Sequence, residues 1–261
     1  MGSAPLRAEQ GWSPVTESPV VGPVPRYDLT AWRALGLVAG ITGRGDGERS
    51  GFDLGLWTDE PVGQVMSRWR AFRGSLPGAD AVVLGNQVHG AEVMTVGPAG
   101  GWLQVEGIDG WVTTTPGTYL AVTVADCIPV YLAVPSRGVA LLHAGWRGTA
   151  AGILQAGLGQ LLRASGASPE DVLMHCGVGI CGACYEVGSE VMAGCRVPHG
   201  GPGPWHLDLR GVLAGQASGL GVGRITVSSW CSAHDRSSFY SHRASRGSDG
   251  RMVAYLGMLR G

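Results

Sequence analysis

The sequence predicts one mixed α/β domain, of the α+β kind. Three observations carry that prediction. Short apolar, β-branched runs bounded by Gly, Pro and Ser recur along the chain. Two longer stretches place their apolar residues at helical spacing. No internal repeat and no linker divides the 261 residues. Apolar residues make up 44% and charged residues 15%, which is enough for a sizeable core and incompatible with wholesale disorder.

Taken in order, residues 1–27 carry Pro5, Pro14, Pro19, Pro23 and Pro25 and read as a mobile tail ahead of a domain spanning 28–261. Residues 35–41 form a strand that runs into a mobile loop at Gly43, Arg44, Gly45, Asp46 and Gly47. A helix covers 61–72: Pro61 suits a first turn, and Val62, Val65, Met66, Trp69 and Phe72 share one stripe. Residues 81–84 are a brief strand that ends in Gly85-Asn86-Gln87-Val88-His89-Gly90. Two further strands, 119–125 and 128–134, are separated by Asp126 and Cys127. After a turn at 135–138, a buried strand at 139–142 closes on His143-Ala144-Gly145-Trp146-Arg147-Gly148-Thr149, where a helix begins. Ile153, Leu154, Leu158, Leu161 and Leu162 continue that helix until Ser165-Gly166 stops it. Ser168-Pro169-Glu170-Asp171 reads as one capped turn. Then come a strand at 172–175, a Gly- and Cys-rich loop, a helix at 187–194, a strand at 224–229, a polar stretch at 232–250 and a closing strand at 252–256.

Composition excludes several functions. A net charge of −1 argues against a nucleic-acid binder relying on a basic surface. All 19 basic residues are Arg, so a Schiff-base lysine, a lysine-anchored pyridoxal phosphate and a Gly-Lys-Ser/Thr phosphate loop are ruled out. No segment resembles a signal-peptide core or a membrane span of ~18 apolar residues, and a cytoplasmic location is expected. The 6 cysteines then read as metal ligands, reactive thiols or core filler before disulfides.

Three apolar strands end in a potential ligand: His89, Cys127 and His143. Two imidazoles and a thiolate suit zinc, with a fourth position left for water. The alternative for each is burial for packing, since a lone Cys is among the most buried residue types. The turn at Gly145–Gly148 has a second use: its glycines admit close approach, the following helix offers free N–H groups, and Arg147 adds a cation, together an anion site. Arg147 paired with a surface carboxylate is the alternative. Cys176, Cys181 and Cys184 match the start of a plant-type iron–sulfur loop, with Cys195 or Cys231 as the fourth ligand; small buried thiols are the competing reading. A multicopper oxidase centre needs on the order of ten histidines, usually as His-x-His pairs. This chain has 7 histidines and no such pair.

Several strings occur in one order: Asn86-Gln87-Val88-His89, Asp109-Gly110, Ala125-Asp126-Cys127-Ile128-Pro129, His143-Ala144-Gly145-Trp146-Arg147-Gly148, Cys184-Tyr185-Glu186-Val187-Gly188, Phe239-Tyr240-Ser241-His242-Arg243 and Gly250-Arg251-Met252. With them the chain, over about residues 30–261, resembles the YfiH family, also called the laccase-domain or polyphenol oxidase family, whose members act as purine nucleoside phosphorylases. The resemblance implies a single domain with a mixed β-sandwich flanked by helices. It also implies a zinc ion (copper in a laccase-like reading) on His89, Cys127 and His143. The implied substrates are purine nucleosides and phosphate: phosphorolysis of adenosine, inosine and methylthioadenosine, with adenosine deaminase activity. Arg147, Gly145, Asn86, Arg243 and Arg44 are expected to bind substrate or phosphate. Asp126, beside Cys127, is expected as a proton shuttle or as a carboxylate that orients a ligand. The chain departs from the family in reading Gly177-Val178 where Gly-Pro is frequent, and Ser241-His242-Arg243-Ala244 where Ser-Tyr-Arg-Arg is frequent, which leaves one arginine of a pair. An alternative is a Cys–His hydrolase with Cys127 as nucleophile, acting in peptidoglycan precursor editing, or a laccase-like polyphenol oxidase.

Overall fold

Almost every strand of the core is buried on both faces, and the reason is a sandwich of two seven-stranded sheets with helices outside it. The computed structural model describes residues 12–45, 51–56 and 60–260. One sheet takes, edge to edge, β1 (Ser13–Val15), β15 (Arg224–Ser228), β12 (Leu173–Cys176), β10 (Ile128–Val134), β11 (Gly138–Ala144), β8 (Gly110–Thr113) and β6 (Val93–Thr95). The other takes β2 (Ser18–Val20), β3 (Arg26–Asp28), β4 (Leu37–Thr42), β16 (Met252–Met258), β9 (Thr118–Val124), β5 (Ala81–Asn86) and β7 (Gly101–Glu106). Parallel and antiparallel pairs are mixed in each sheet. A separate ribbon pairs β13 (Glu186–Val187) with β14 (Trp205–His206).

Side-chain alternation sorts these strands into layers. Tyr131, Ala133, Val139 and Leu141 of one sheet meet Leu120, Val122, Ala254 and Leu256 of the other in the central layer. Their alternate neighbours Val130, Leu132, Ala140 and Leu142 face outward onto α3 (Ile153–Ser165) and α5 (Leu209–Gly219). On the far side Val82, Leu84, Val253 and Tyr255 face α1 (Val62–Gly74), which brings Val65, Trp69 and Phe72. Covered on both faces, such strands read as continuous apolar runs, which is why the period-2 signal is absent from residues 119–142. The single mixed α/β domain, with its sandwich flanked by helices, agrees with the expectation.

Besides short strands absent from the sequence reading, among them β3, β6, β7, β8 and β14, the structure departs from it in four further ways. The proline-rich front end is built in over residues 12–27. Pro14 and Pro19 sit in the edge strands β1 and β2, where proline is tolerated. The buried Glu17 carboxylate takes His175 Nε2 at 2.9 Å and Ser228 Oγ at 2.7 Å. Residues 1–11, and Asp46 and Gly47 of the expected loop, lie outside the described residues. The helix starting at Trp146 lasts one turn, α2 (Trp146–Ala150), because Gly152 at φ 86° turns the chain before α3. Val187 belongs to β13, and the helix there, α4, covers Ser189–Gly194. Finally, α5 was not visible in the sequence. Its three glycines, Gly211, Gly215 and Gly219, lower helix propensity, and burial of Leu209, Leu213, Ala214 and Ala217 supplies the stability instead. The capped turn at Pro169–Asp171 is present, with Asp171 accepting the Ser168 N–H at 3.1 Å.

Candidate metal centre and active-site cleft

Sheet topology brings the three strand ends together. β5 and β9 run parallel, with Leu84 beside Ala121, so the segments that follow them leave from the same side. The first carries His89 and the second Cys127. β9 and β10 lie in different sheets, so Ala125, Asp126 and Cys127 make the crossing between them. β10 and β11 are antiparallel with Pro129 opposite His143, which places His143 beside Cys127. The three donor atoms lie within 4.8 Å of one another. The two imidazole rings meet edge to face at 4.8 Å between centroids.

One fully buried carboxylate organises the group. Asp109 Oδ1 lies 2.8 Å from His143 Nδ1 and also accepts the His89 backbone N–H at 3.0 Å. Its Oδ2 accepts the N–H groups of Val88 at 3.1 Å and Gly90 at 2.8 Å. A carboxylate there assigns the proton of His143 to Nδ1 and leaves the Nε2 lone pair free to ligate. The same contacts hold His89 at φ 60°, a left-handed conformation that a non-glycine residue adopts only when its surroundings impose it. Gln87 anchors the loop from the other side: its Nε2 donates to Thr123 O at 2.8 Å and its Oε1 accepts the Thr123 N–H at 2.7 Å. Gly148 lets α2 approach, since a Cβ there would stand 2.7 Å from Gly90 O.

Burial disfavours charge at both Cys127 and His143, yet their mutual attraction wins. The Cys127 thiol is lowered to about 6 by the His143 charge and by hydrogen bonds from His143 and His89. The His143 imidazole is raised to about 9 by the Cys127 charge and the Asp109 hydrogen bond. A soft thiolate and two imidazoles, one with its second nitrogen fixed, fit a borderline-soft divalent ion such as zinc. The trio forms part of the wall of a cleft of about 1290 Å³, so a fourth ligand position can open toward a substrate.

Most of the other expected residues line the same cleft: Asn86, Asp126, Gly145, Arg147 and Arg243. The exposed Arg147 stacks over the Trp146 ring at 4.6 Å. Arg243 lies over Tyr185 at 5.3 Å and donates from Nη1 to Glu186 O at 2.7 Å. Asn86 Nδ2 donates to Glu106 Oε2 at 2.6 Å. Asp126, at φ 86°, has both oxygens engaged: Oδ1 accepts from Ser232 Oγ at 2.7 Å and Oδ2 from the Arg243 N–H at 2.6 Å. Arg44 does not reach the lining; it pairs with Asp249 at 3.0 Å and stacks on Tyr240. Cys176 does not join Cys181 and Cys184 either. It is buried, with its sulfur 3.9 Å from Arg210 O.

Sequence reasoning missed the role of Asp109. The string Asp109-Gly110 is visible, but its place beside His143 follows only from the pairing of β8 with β11, Gly110 opposite Leu142.

A β-sandwich between helical layers, with a His–Cys–His donor set in a cleft wall, defines a mixed α/β protein with a candidate metal centre. The family model described as multi-copper polyphenol oxidoreductase laccase matches residues 38–259, and the chain belongs to that laccase-domain (YfiH) family. A protein of Deinococcus radiodurans named purine nucleoside phosphorylase is 39% identical over 241 residues, 87% of this chain and 91% of its own. The purine nucleoside phosphorylase YlmD of Geobacillus stearothermophilus is 34% identical over 85% of this chain and 90% of its own. Its crystal structure superposes with a TM-score of 0.81, covering 94% of this chain and 100% of that one, at 29% identity. A protein from an unknown prokaryotic organism named adenosine deaminase RL5 is 32% identical over 63% of this chain and 70% of its own.

Proposed function

We propose that the protein is a zinc-dependent purine nucleoside phosphorylase that also deaminates adenosine. One observation carries the reading: a donor trio, His89, Cys127 and His143, shares a cleft with two arginines, Arg147 and Arg243. The names of the relatives point to the same pair of reactions. His89, Cys127 and His143 would hold the ion, which supplies a Lewis acid and makes water acidic enough to attack near neutral pH.

The protein's own groups supply the rest. Asp109 keeps a proton on His143 Nδ1, so Nε2 is the nitrogen that faces the ion, and binding the ion would displace the proton from Nε2. In phosphorolysis a phosphate oxygen forms a bond to the sugar C1′ while the bond from C1′ to the purine nitrogen breaks, releasing the free base. Arg147 would hold that phosphate: its guanidinium stacks on Trp146 and pairs with no carboxylate among the described residues. Arg243, with Nη1 spent on Glu186 O, lines the same cleft and braces the segment that carries Tyr185 and Glu186. In deamination water adds at purine C6 and ammonia leaves. Asp126, with both oxygens accepting hydrogen bonds, acts as a positioning residue: it ties the Cys127 crossing to Ser232 and to the start of α6 (His242–Ser245). No helix among the described residues is long and apolar enough to cross a membrane, and all six cysteines are free, in keeping with a cytoplasmic location.

Inosine and phosphate, incubated with metal-replete protein, should release hypoxanthine, and adenosine should yield inosine. No hypoxanthine under those conditions refutes the phosphorylase.

A second reading rests on the order Asp109, His143, Cys127, which is that of an orienting acid, a base and a nucleophile. A Cys–His hydrolase predicts a covalent adduct on Cys127 with an electrophilic substrate analogue. The metalloenzyme predicts stoichiometric zinc that is lost in Cys127→Ala. A conventional multicopper centre, and with it a laccase-like polyphenol oxidase, is disfavoured. Of the remaining histidines, His175 is held by Glu17 and Thr226, and His234 sits with three cysteines.

A further inference from the structure

A second set of soft ligands lies outside the cleft. Cys181 and Cys184 come from the loop between β12 and β13, and Cys231 and His234 from the loop after β15. The spacings are Cys-x₂-Cys and Cys-x₂-His, and each pair sits on a tight turn. The Cys184 N–H donates to Cys181 O at 3.0 Å, and Asp235 closes the second turn by donating its N–H to Cys231 O at 2.8 Å. The two loops are fastened to each other by backbone: Gly179 bridges Cys231, and the Ser232 N–H donates to Gly179 O at 3.0 Å. Four donor atoms, three sulfurs and one nitrogen, thereby lie within 4.8 Å of one another.

We propose that Cys181, Cys184, Cys231 and His234 bind a second, structural zinc ion in a closed Cys₃His site. Four donors at about 2.0–2.3 Å from one ion stand about 3.4–3.8 Å apart around a tetrahedron. Cys181 Sγ is 3.7 Å from His234 Nδ1 and Cys184 Sγ is 3.0 Å from His234 Nε2, so the pairs are near that spacing and the imidazole need only turn to present one nitrogen to both sulfurs. All three thiols are free, so no disulfide competes for them. Three sulfurs and one imidazole also match zinc better than an iron–sulfur cluster, which takes four cysteines in the plant-type loop. Binding displaces the thiol protons to solvent and involves no change of oxidation state.

The position explains what such an ion does. The Cys181 loop and the Cys231 loop both touch the crossing that carries Cys127. The Ile180 N–H donates to Asp126 O at 2.9 Å, and Ser232 Oγ donates to Asp126 Oδ1 at 2.7 Å. Arg210 of α5 steadies the second loop from behind, donating to Ser228 O and Trp230 O. An ion clamping the two loops therefore fixes one wall of the cleft without entering it.

The test is zinc content per chain in the full-length protein, purified without added metal. Two equivalents are expected in the wild type. His143→Ala and His234→Ala should each retain one, and the double variant none. Cobalt replacing the zinc of His143→Ala should show the strong thiolate-to-metal absorption of three sulfurs, whereas cobalt in His234→Ala should show it much more weakly. Should His234→Ala fail to fold, the wild type alone decides. Cys181 and Cys184 should resist a thiol reagent until a chelator withdraws the metal, then react together with release of zinc. A wild type with one equivalent, lost entirely in His143→Ala, overturns the proposal. So does iron with labile sulfide in these four residues, or thiols that react at full rate in the zinc-replete protein.

Discussion

Asp109 and His143 are joined across two strands by a hydrogen bond of 2.8 Å, and the same carboxylate oxygen holds the backbone of His89. One buried acid thus sets the tautomer of one candidate ligand and the loop conformation of another. Asp109→Asn presents an amide to four N–H donors and leaves at least one of them opposed by a donor. Zinc affinity, measured by competition with a chromophoric chelator, should fall about 10- to 100-fold with the fold retained. An unchanged affinity would show that Asp109 only packs.

Arg147, proposed as the phosphate ligand, offers a test that separates phosphate binding from metal chemistry. Charge-assisted hydrogen bonds to phosphate contribute about 1.5–3 kcal/mol, so Arg147→Ala should weaken phosphate use about 10- to 150-fold. Deamination of adenosine needs no phosphate and should change much less, with zinc content constant. Equal losses in both reactions, with zinc still bound, would mean that Arg147 positions the purine.

Gly148 tests the packing of α2 on the His89 loop. A methyl group in Gly148→Ala would meet Gly90 O at 2.7 Å, and the shift needed to relieve it should cost about 1–3 kcal/mol. For a domain of this size each kcal/mol lowers Tm by about 2–4 °C. An unchanged Tm would place the loop and α2 further apart than the structure has them.

Glu17 tests whether the front end belongs to the domain. Glu17→Ala leaves buried partners unmet at His175 and Ser228, a loss of about 1–3 kcal/mol that should appear as a lower urea midpoint at unchanged slope. A midpoint that does not move would return residues 12–27 to the status of a tail.

How much of this was legible in the sequence depended on range. The apolar runs that became β9, β10 and β11 were visible because each is buried on both faces, and burial acts residue by residue. The α1 and α3 stripes were visible because their apolar residues lie within a few turns of one another. The strands β6, β7 and β14 carry weak signals: they are short or half exposed, and pairing with a neighbour is what stabilises them. Over residues 12–27 the structure departs from the expected tail because proline content describes what a segment cannot do in a central strand, and β1 and β2 lie at sheet edges.

The choice of His89, Cys127 and His143 as candidate ligands came from local sequence, since each follows or closes an apolar run beside a glycine-flanked turn, although β5 and β11 extend two residues further than that reading, through Asn86 and Ala144. Their convergence was decided only in three dimensions, by the parallel register of β5 on β9 and the crossing from β9 to β10. The same holds for Asp109 on His143, for Glu17 under His175, and for the capture of Arg44 by Asp249 across 205 residues of chain. It holds again for the meeting of Cys181 and Cys184 with Cys231 and His234. Local periodicity reports only how each segment is buried. Which segments meet is set by strand pairing between residues distant in sequence, and no short window of sequence contains both partners.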